Sequence, residues 1–312
     1  MKTTPPPGSP CVHTSLAELV AMQWLRGTPG LTGRQPPSSL LAGRHASRLR
    51  GRGLIFEDLR EYRPGDDIRR IDWRATARTG RTHTRVYAEE RERPVLLVVD
   101  QRLGMFFGSE AQMKSVTAAE TAAAIAWQVL AGGDRIGATV FGDRLISDIR
   151  PQRSRKAVMQ VLKALAESNA ALGVDRDIEP APQQLDRVLA QVAARATHDW
   201  LIVLISDFQG IGPQTREHVA RLARHNDVVA VLVWDRSALA IPAIPHAILG
   251  DGRRQADFDL ARPATRNALH GLLDRRSRFL ERLRSELAVP CLSIDTGGDV
   301  AGQLARALGQ AA

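Results

Sequence analysis

The chain has 312 residues, 44% of them hydrophobic, which is enough apolar material for a substantial core and excludes disorder throughout. Lys+Arg 43 against Asp+Glu 34 leaves a net charge of +9, which favours acidic partners, whether nucleic acid, anionic lipid or protein, without choosing among them. Cys11 and Cys291 stand near opposite ends with no C-x-x-C or Cys/His spacing, so neither a disulfide framework nor a zinc site is expected. A reducing compartment fits. No apolar signal core follows Met1, and no run approaches the roughly 20 apolar residues of a transmembrane helix, so a cytoplasmic protein is expected.

Residues 1–53 read as a basic, Pro/Gly-rich leader. Leu16 to Leu25 has the spacing of a short helix, with Leu16, Leu19, Val20 and Gln23 on one side, before Gly27, Pro29 and Gly30 break it. Arg26, Arg34, Arg44, Arg48, Arg50 and Arg52 follow with no acid among them, which suits a solvated arm lying along the domain or, as the alternative, a nucleic-acid contact. Residues 54–93 form a second segment, read as β-rich, and residues 94–312 a third.

The third segment alternates strand and helix patterns. Val95 to Val99 is a continuous apolar run ending at Asp100, as in a strand buried on both faces. An Ala-rich helix from Lys114 to Leu130 comes next. Arg135–Phe141 and Leu145–Ile149 flank Gly142-Asp143-Arg144, a hairpin that places one antiparallel strand in the sheet. Val158, Val161, Leu162 and Leu165, then Leu185, Val188, Leu189 and Val192, mark two amphipathic helices. Trp200 to Ser206 is a strand ending in Asp207, and after a helix over 214–224 a further strand, Val228 to Trp234, ends in Asp235. The stretch from Asp251 to Asp259 is polar and irregular. Leu269, Leu272, Leu273, Arg276, Phe279, Leu280, Leu283 and Leu287 then trace a long helix, before a strand over 289–294 and a helix over 300–308. This is a doubly wound, mostly parallel α/β domain.

Ligands of such sheets gather beyond the carboxyl ends of the strands. Asp100 and Asp207 each follow a buried strand and are expected to share a site there; Asp235 is read as a helix cap.

The densest motif lies earlier, in Arg60-x-Tyr62, Gly65-Asp66-Asp67, Arg69, Ile71-Asp72-Trp73 and Arg78. Pro64-Gly65 suits a type II turn, with glycine supplying the positive φ. Asp66 and Asp67 are expected to pair with Arg60, Arg63, Arg69 or Arg70, while Tyr62, Ile71 and Trp73 pack. One use of the motif is a structural clasp, assigned to Asp72 and Trp73. The other is a docking surface, with Trp73 as anchor and the exposed arginines around it. A metal cluster of Asp66, Asp67 and Asp72 is disfavoured by the arginines among them.

This motif, followed by the strand ending in Asp100, resembles the domain-of-unknown-function family fifty-eight associated with MoxR-type AAA+ ATPases, over roughly Gly43 to the C-terminus. The resemblance implies a von Willebrand factor A-like domain after the motif and a MoxR ATPase partner in assembly or maturation of client proteins. It also implies an Asp-x-Ser-x-Ser divalent-cation site, with a later Thr and a second Asp. The chain departs from that pattern: Asp100-Gln101-Arg102-Leu103-Gly104 puts Arg102 and Gly104 where the serines belong, and Leu172-Gly173-Val174-Asp175 supplies no Thr. A degenerate site of Asp100, Arg102, Gly104 and Asp207 is therefore expected to hold no metal. Arg102 either pairs with Asp100, Asp207 or both in the ion's place, or points to solvent or a partner's acid.

No G-x-S-x-G, no phosphate loop and no clustered histidines are present, so neither a catalytic residue nor a cofactor is expected. The resulting expectation is a non-enzymatic adaptor for a MoxR-type ATPase. A nucleic-acid-binding protein and, further off, a metal-dependent hydrolase are the alternatives.

Overall fold

The computed structural model describes residues 11–23, 54–63, 65–89, 93–109, 111–173, 178–238, 243–250 and 255–310. The chain divides into two compact units, one of Arg44–Glu92 and one of Met1–Gly43 with Arg93–Ala312. In order, the elements are α1 (Leu16–Ala21), β1 (Leu54–Glu61), α2 (Trp73–Thr79), β2 (His83–Glu89), β3 (Pro94–Asp100) and α3 (Lys114–Ala131). Then come β4 (Arg135–Phe141), β5 (Ile146–Gln152), α4 (Arg155–Ala170), α5 (Gln184–Arg195), β6 (Leu201–Ser206), α6 (Pro213–Ala223) and β7 (Asp227–Trp234). The chain continues through β8 (Ala247–Gly250), β9 (Gln255–Phe258), α7 (Pro263–Leu287), β10 (Cys291–Asp295) and α8 (Val300–Gln310).

In the larger unit the continuous apolar runs become interior strands, because each must bury both faces. Val95, Leu97 and Val99 of β3 face a core closed by α1, α3, α4 and α8. Leu96 and Val98 face a second core closed by α5, α6 and α7. The sheet order is β10-β7-β6-β3-β4-β5, parallel throughout except for β5, which runs antiparallel to β4. The chain thus starts in the middle, builds outward through β4 and β5, and returns to build the other half from β6. Its order reverses between β3 and β6, where a doubly wound sheet opens a crevice.

Two regions differ from expectation. Residues 11–23, read as the start of a leader, pack on the core. A six-residue helix is too short to persist alone, and α1 is held by a Ser15/Glu18 capping box, a fully buried Leu19, and the Trp127 Nε1–H donating to the Leu19 carbonyl at 3.2 Å. The arginine-rich stretch from Arg26 to Arg52 lies outside the described residues. The polar stretch after Asp251 is not irregular throughout, since β9 pairs with β8 in a separate antiparallel ladder. Four-residue strands are too short to display a period.

The smaller unit is built on β1 and β2, antiparallel with a register shift between Phe56 and Asp58. A 3-10 turn over Ile68–Arg70 and the helix α2 make the connection between the strands.

Candidate functional site

At the reversal point the strand ends bring Asp100 and Asp207 to the same edge, both essentially inaccessible to solvent. Two buried cations meet them. Arg102 folds back on Asp100, with Nε 3.0 Å from Oδ1 and Nη2 2.7 Å from Oδ2. The remaining Arg102 donors reach the Pro182 carbonyl at 2.9 Å and the Gln209 carbonyl at 3.1 Å, tying the segment before α5 and the β6–α6 loop to β3. Asp100 also accepts from the Ser206 hydroxyl at 2.6 Å.

Asp207 takes Lys114, the first residue of α3, as its ion-pair partner. Arg276 of α7 stands 3.6 Å away, and the Gln209 N–H donates to Asp207 Oδ1 at 2.9 Å. Asp143, in the β4–β5 turn, accepts from the Leu103 and Ala181 N–H groups at 2.6 and 2.7 Å. A β-carbon on Gly104 would lie 2.2 Å from Gln209 Oε1, so glycine allows that side chain its close approach.

Burial by itself disfavours every charge here. For Arg102 the carboxylates of Asp100, Asp207 and Asp143 overcome it and raise the guanidinium pKa further above its ordinary value. For Asp207 burial pushes the pKa up, but Lys114, Arg276 and Arg102 outweigh it and hold the carboxyl below its usual range. Of the two roles open to Arg102, the geometry is the inward one, paired with Asp100. Asp207 is paired by a different cation.

A hard divalent ion needs several oxygens with free lone pairs. The Asp100 oxygens are engaged by Arg102 and Ser206, the Asp207 oxygens by Lys114 and Gln209, and both cationic groups occupy the space beside them. Among the described residues no group of three or more His, Cys, Asp or Glu is gathered to hold a metal. The residues present do not fit the ion that the resemblance implies. Val174 and Asp175, in the loop where a Thr ligand was sought, lie outside the described residues.

Asp235 does more than cap. Its N–H partner Ser237 is the expected cap bond, at 3.0 Å, but its carboxylate also accepts from the Ser109 N–H at 2.8 Å and from the hydroxyls of Ser109, Ser237 and Thr296 at 2.6, 2.5 and 2.7 Å. Burial opposes the charge, and these donors prevail, holding the carboxyl at about 2.

The motif residues are placed as follows. Gly65 has φ +103° and the Asp66 N–H donates to the Arg63 carbonyl at 3.0 Å, the geometry of the expected turn, with Pro64 itself outside the described residues. Asp66 pairs with Arg60 at 2.7 Å. Asp67 instead caps the 3-10 turn through the Arg69 N–H, because its backbone position puts an orphan donor within reach. Asp72 caps α2 through the N–H groups of Arg74 and Ala75, both at 3.0 Å. Tyr62 and Ile71 are half-buried. Trp73 corrects the clasp expectation: as the first residue of α2 it points outward, 69% exposed, because Ala75 rather than Trp73 occupies the buried position of that helix. Arg69 and Arg78 are exposed.

Sequence reasoning missed Lys114, Arg276 and Asp143. Two signals were present. A lysine at a helix N-terminus opposes the helix dipole unless a carboxylate faces it, and Arg276 interrupts an apolar stripe.

No described helix is long and apolar enough to cross a membrane. A solved von Willebrand factor type A protein from Catenulispora acidiphila aligns over 71% of this chain and 44% of its own, with a TM-score of 0.36 and 10% identity. Uncharacterized proteins of Mycobacterium bovis and Mycobacterium tuberculosis are each 30% identical over 281 residues, covering 88% of this chain and 85% of theirs. The family model described as "Protein of unknown function DUF58" matches residues 58–277, and the chain belongs to that family.

Proposed function

We propose that this protein is a non-enzymatic interaction adaptor that works without a bound metal and engages a MoxR-type AAA+ ATPase in the assembly or maturation of client proteins. One observation carries the reading: both carboxylates at the sheet's reversal point are neutralised by buried side-chain cations, Arg102 and Lys114. Each carboxylate thus has a buried cation where an exchangeable ion would sit, and Asp207, held below the usual carboxylate range, is a poor base for proton transfer. The same contacts tie together the loops around Leu103, Ala181, Pro182 and Gln209, which suits a fixed recognition surface better than a site that opens around a substrate. The ATPase partnership comes from the family resemblance.

The test is a pull-down of purified MoxR-type ATPase from the same source by the tagged full chain, with and without EDTA in the capture buffer. Chelator-insensitive association is expected. Failure of the ATPase to associate, with nucleic acid captured instead and released by salt, overturns the adaptor reading. Calorimetric Mg²⁺ binding tighter than millimolar overturns the metal-free part of it.

A further inference from the structure

The unit Arg44–Glu92 exposes two large apolar side chains within one short stretch, Ile68 at 66% and Trp73 at 69%. Five residues span at most about 18 Å, and a standard interface offers about 800 Å² on each partner, so one footprint is large enough to cover both. The charges around them are unbalanced. Arg60 and Arg81 are paired, with Asp66 and Glu61, and Asp67 and Asp72 are turned to backbone N–H groups as caps. Arg63, Arg69, Arg74 and Arg78 are exposed and form no ion pair with any described residue. Among the described side chains of this unit Ala75 and Thr84 are buried, whereas Ile68 and Trp73 face outward.

Exposed tryptophan and arginine are the residue types that carry binding energy at protein interfaces. Single-stranded nucleic acid calls for successive aromatic platforms, whereas the large apolar side chains exposed among the described residues of this unit are one indole and one aliphatic group that has no stacking role.

We infer that Ile68 and Trp73, together with the exposed Arg63, Arg69, Arg74 and Arg78 of the same stretch, form a docking surface for an acidic protein surface carrying an apolar slot. On the adaptor reading, on which this inference rests, that surface belongs to the MoxR-type ATPase. The indole fills the slot, and the arginines complement the acids at its edge.

The experiment is biolayer interferometry of the purified ATPase on the immobilised full chain, comparing wild type with Trp73→Ala, Ile68→Ser and the charge reversal Arg74→Glu/Arg78→Glu. A single-stranded oligonucleotide serves as the second analyte. Both apolar positions are exposed, so the variants are expected to keep the wild-type circular dichroism and melting curve. Trp73→Ala is expected to weaken ATPase binding by at least about tenfold, and the charge reversal to weaken it and flatten its salt dependence. ATPase binding that is unchanged in all three variants overturns this inference while leaving the adaptor reading intact. No ATPase binding by wild type overturns both. Oligonucleotide binding that is lost with Trp73→Ala, in place of ATPase binding, assigns the surface to nucleic acid and overturns the inference.

Discussion

Arg102 is 4% exposed and faces a carboxylate that is fully buried, so its removal leaves Asp100 charged in a low-dielectric site. The cost of orphaning such a charge is larger than the net value of the pair, because desolvation is no longer offset. Arg102→Ala is expected to destabilise the chain by about 3–5 kcal/mol in urea unfolding. The double variant Arg102→Ala/Asp100→Asn is expected to be more stable than Arg102→Ala alone, since it removes the stranded charge. If the two losses simply add, the pair is not coupled as described. Asp235 gives a pH signature. Its folded pKa of about 2 lies below the ordinary carboxylate value, so the unfolded state takes up the proton first as pH falls. The stabilisation is complete above about pH 4 and disappears as pH drops toward 2. Because Ser109 at the mouth of this cluster is exposed, screening limits the effect to about 1–2 kcal/mol. Asp235→Asn is expected to lower stability at neutral pH and to flatten its decline between pH 4 and 2, read from urea midpoints across that range.

At the scale of elements, the join between β4 and β5 is a place where one methyl group matters. The ladder shifts register between Ile136 and Ala138, and a β-carbon on Gly137 would lie 2.5 Å from the Ile149 carbonyl oxygen and 2.6 Å from the Pro151 nitrogen. Those are backbone atoms of the paired strand, so the clash is relieved only by moving the strand. Gly137→Ala is expected to cost about 1–3 kcal/mol, measured as a lower urea midpoint. Gly104→Ala is the control, because its clash is with the far end of the Gln209 side chain, which can swing aside. A loss of under about 1 kcal/mol is expected there. The elements also show what a linear reading reaches. β3, β6 and β7 announce themselves because strands buried on both faces are unbroken apolar runs, and Asp100 and Asp207 follow from being the first acidic residues after the apolar runs of two of them. Their cations do not follow in that way. Lys114 and Asp207 are 93 residues apart and meet only because α3 and β6 begin and end at the same edge of the sheet. The outward turn of Trp73 was equally hidden, since it depends on which residue of a seven-residue helix faces inward, and so short a helix shows no full period.

For the whole molecule, the strap of residues 11–23 and the chain from Arg93 belong to one unit, so Arg44–Glu92 is an insertion between two stretches that fold together. The strap is anchored independently of that insertion: the Cys11 N–H donates to the Ala111 carbonyl at 2.7 Å, the Thr14 N–H to Asn169 Oδ1 at 2.9 Å, and Leu19 is fully buried. Both apolar cores lie wholly within the larger unit. Domain insertions of this kind are tolerated when few buried groups are lost with them. Replacing residues 44–92 by a Gly/Ser linker of about 20 residues, long enough to span a domain face, is therefore expected to leave a cooperatively folding protein. Its melting temperature is expected within a few degrees of wild type, and Trp127, 2% exposed in the first core, is expected to keep its buried fluorescence. ATPase binding should disappear in the same variant, because Ile68, Trp73 and the four exposed arginines leave with the segment. A variant that folds and still binds the ATPase places the docking surface on the larger unit instead. One that no longer folds shows that the insertion contributes to the stability of the sheet.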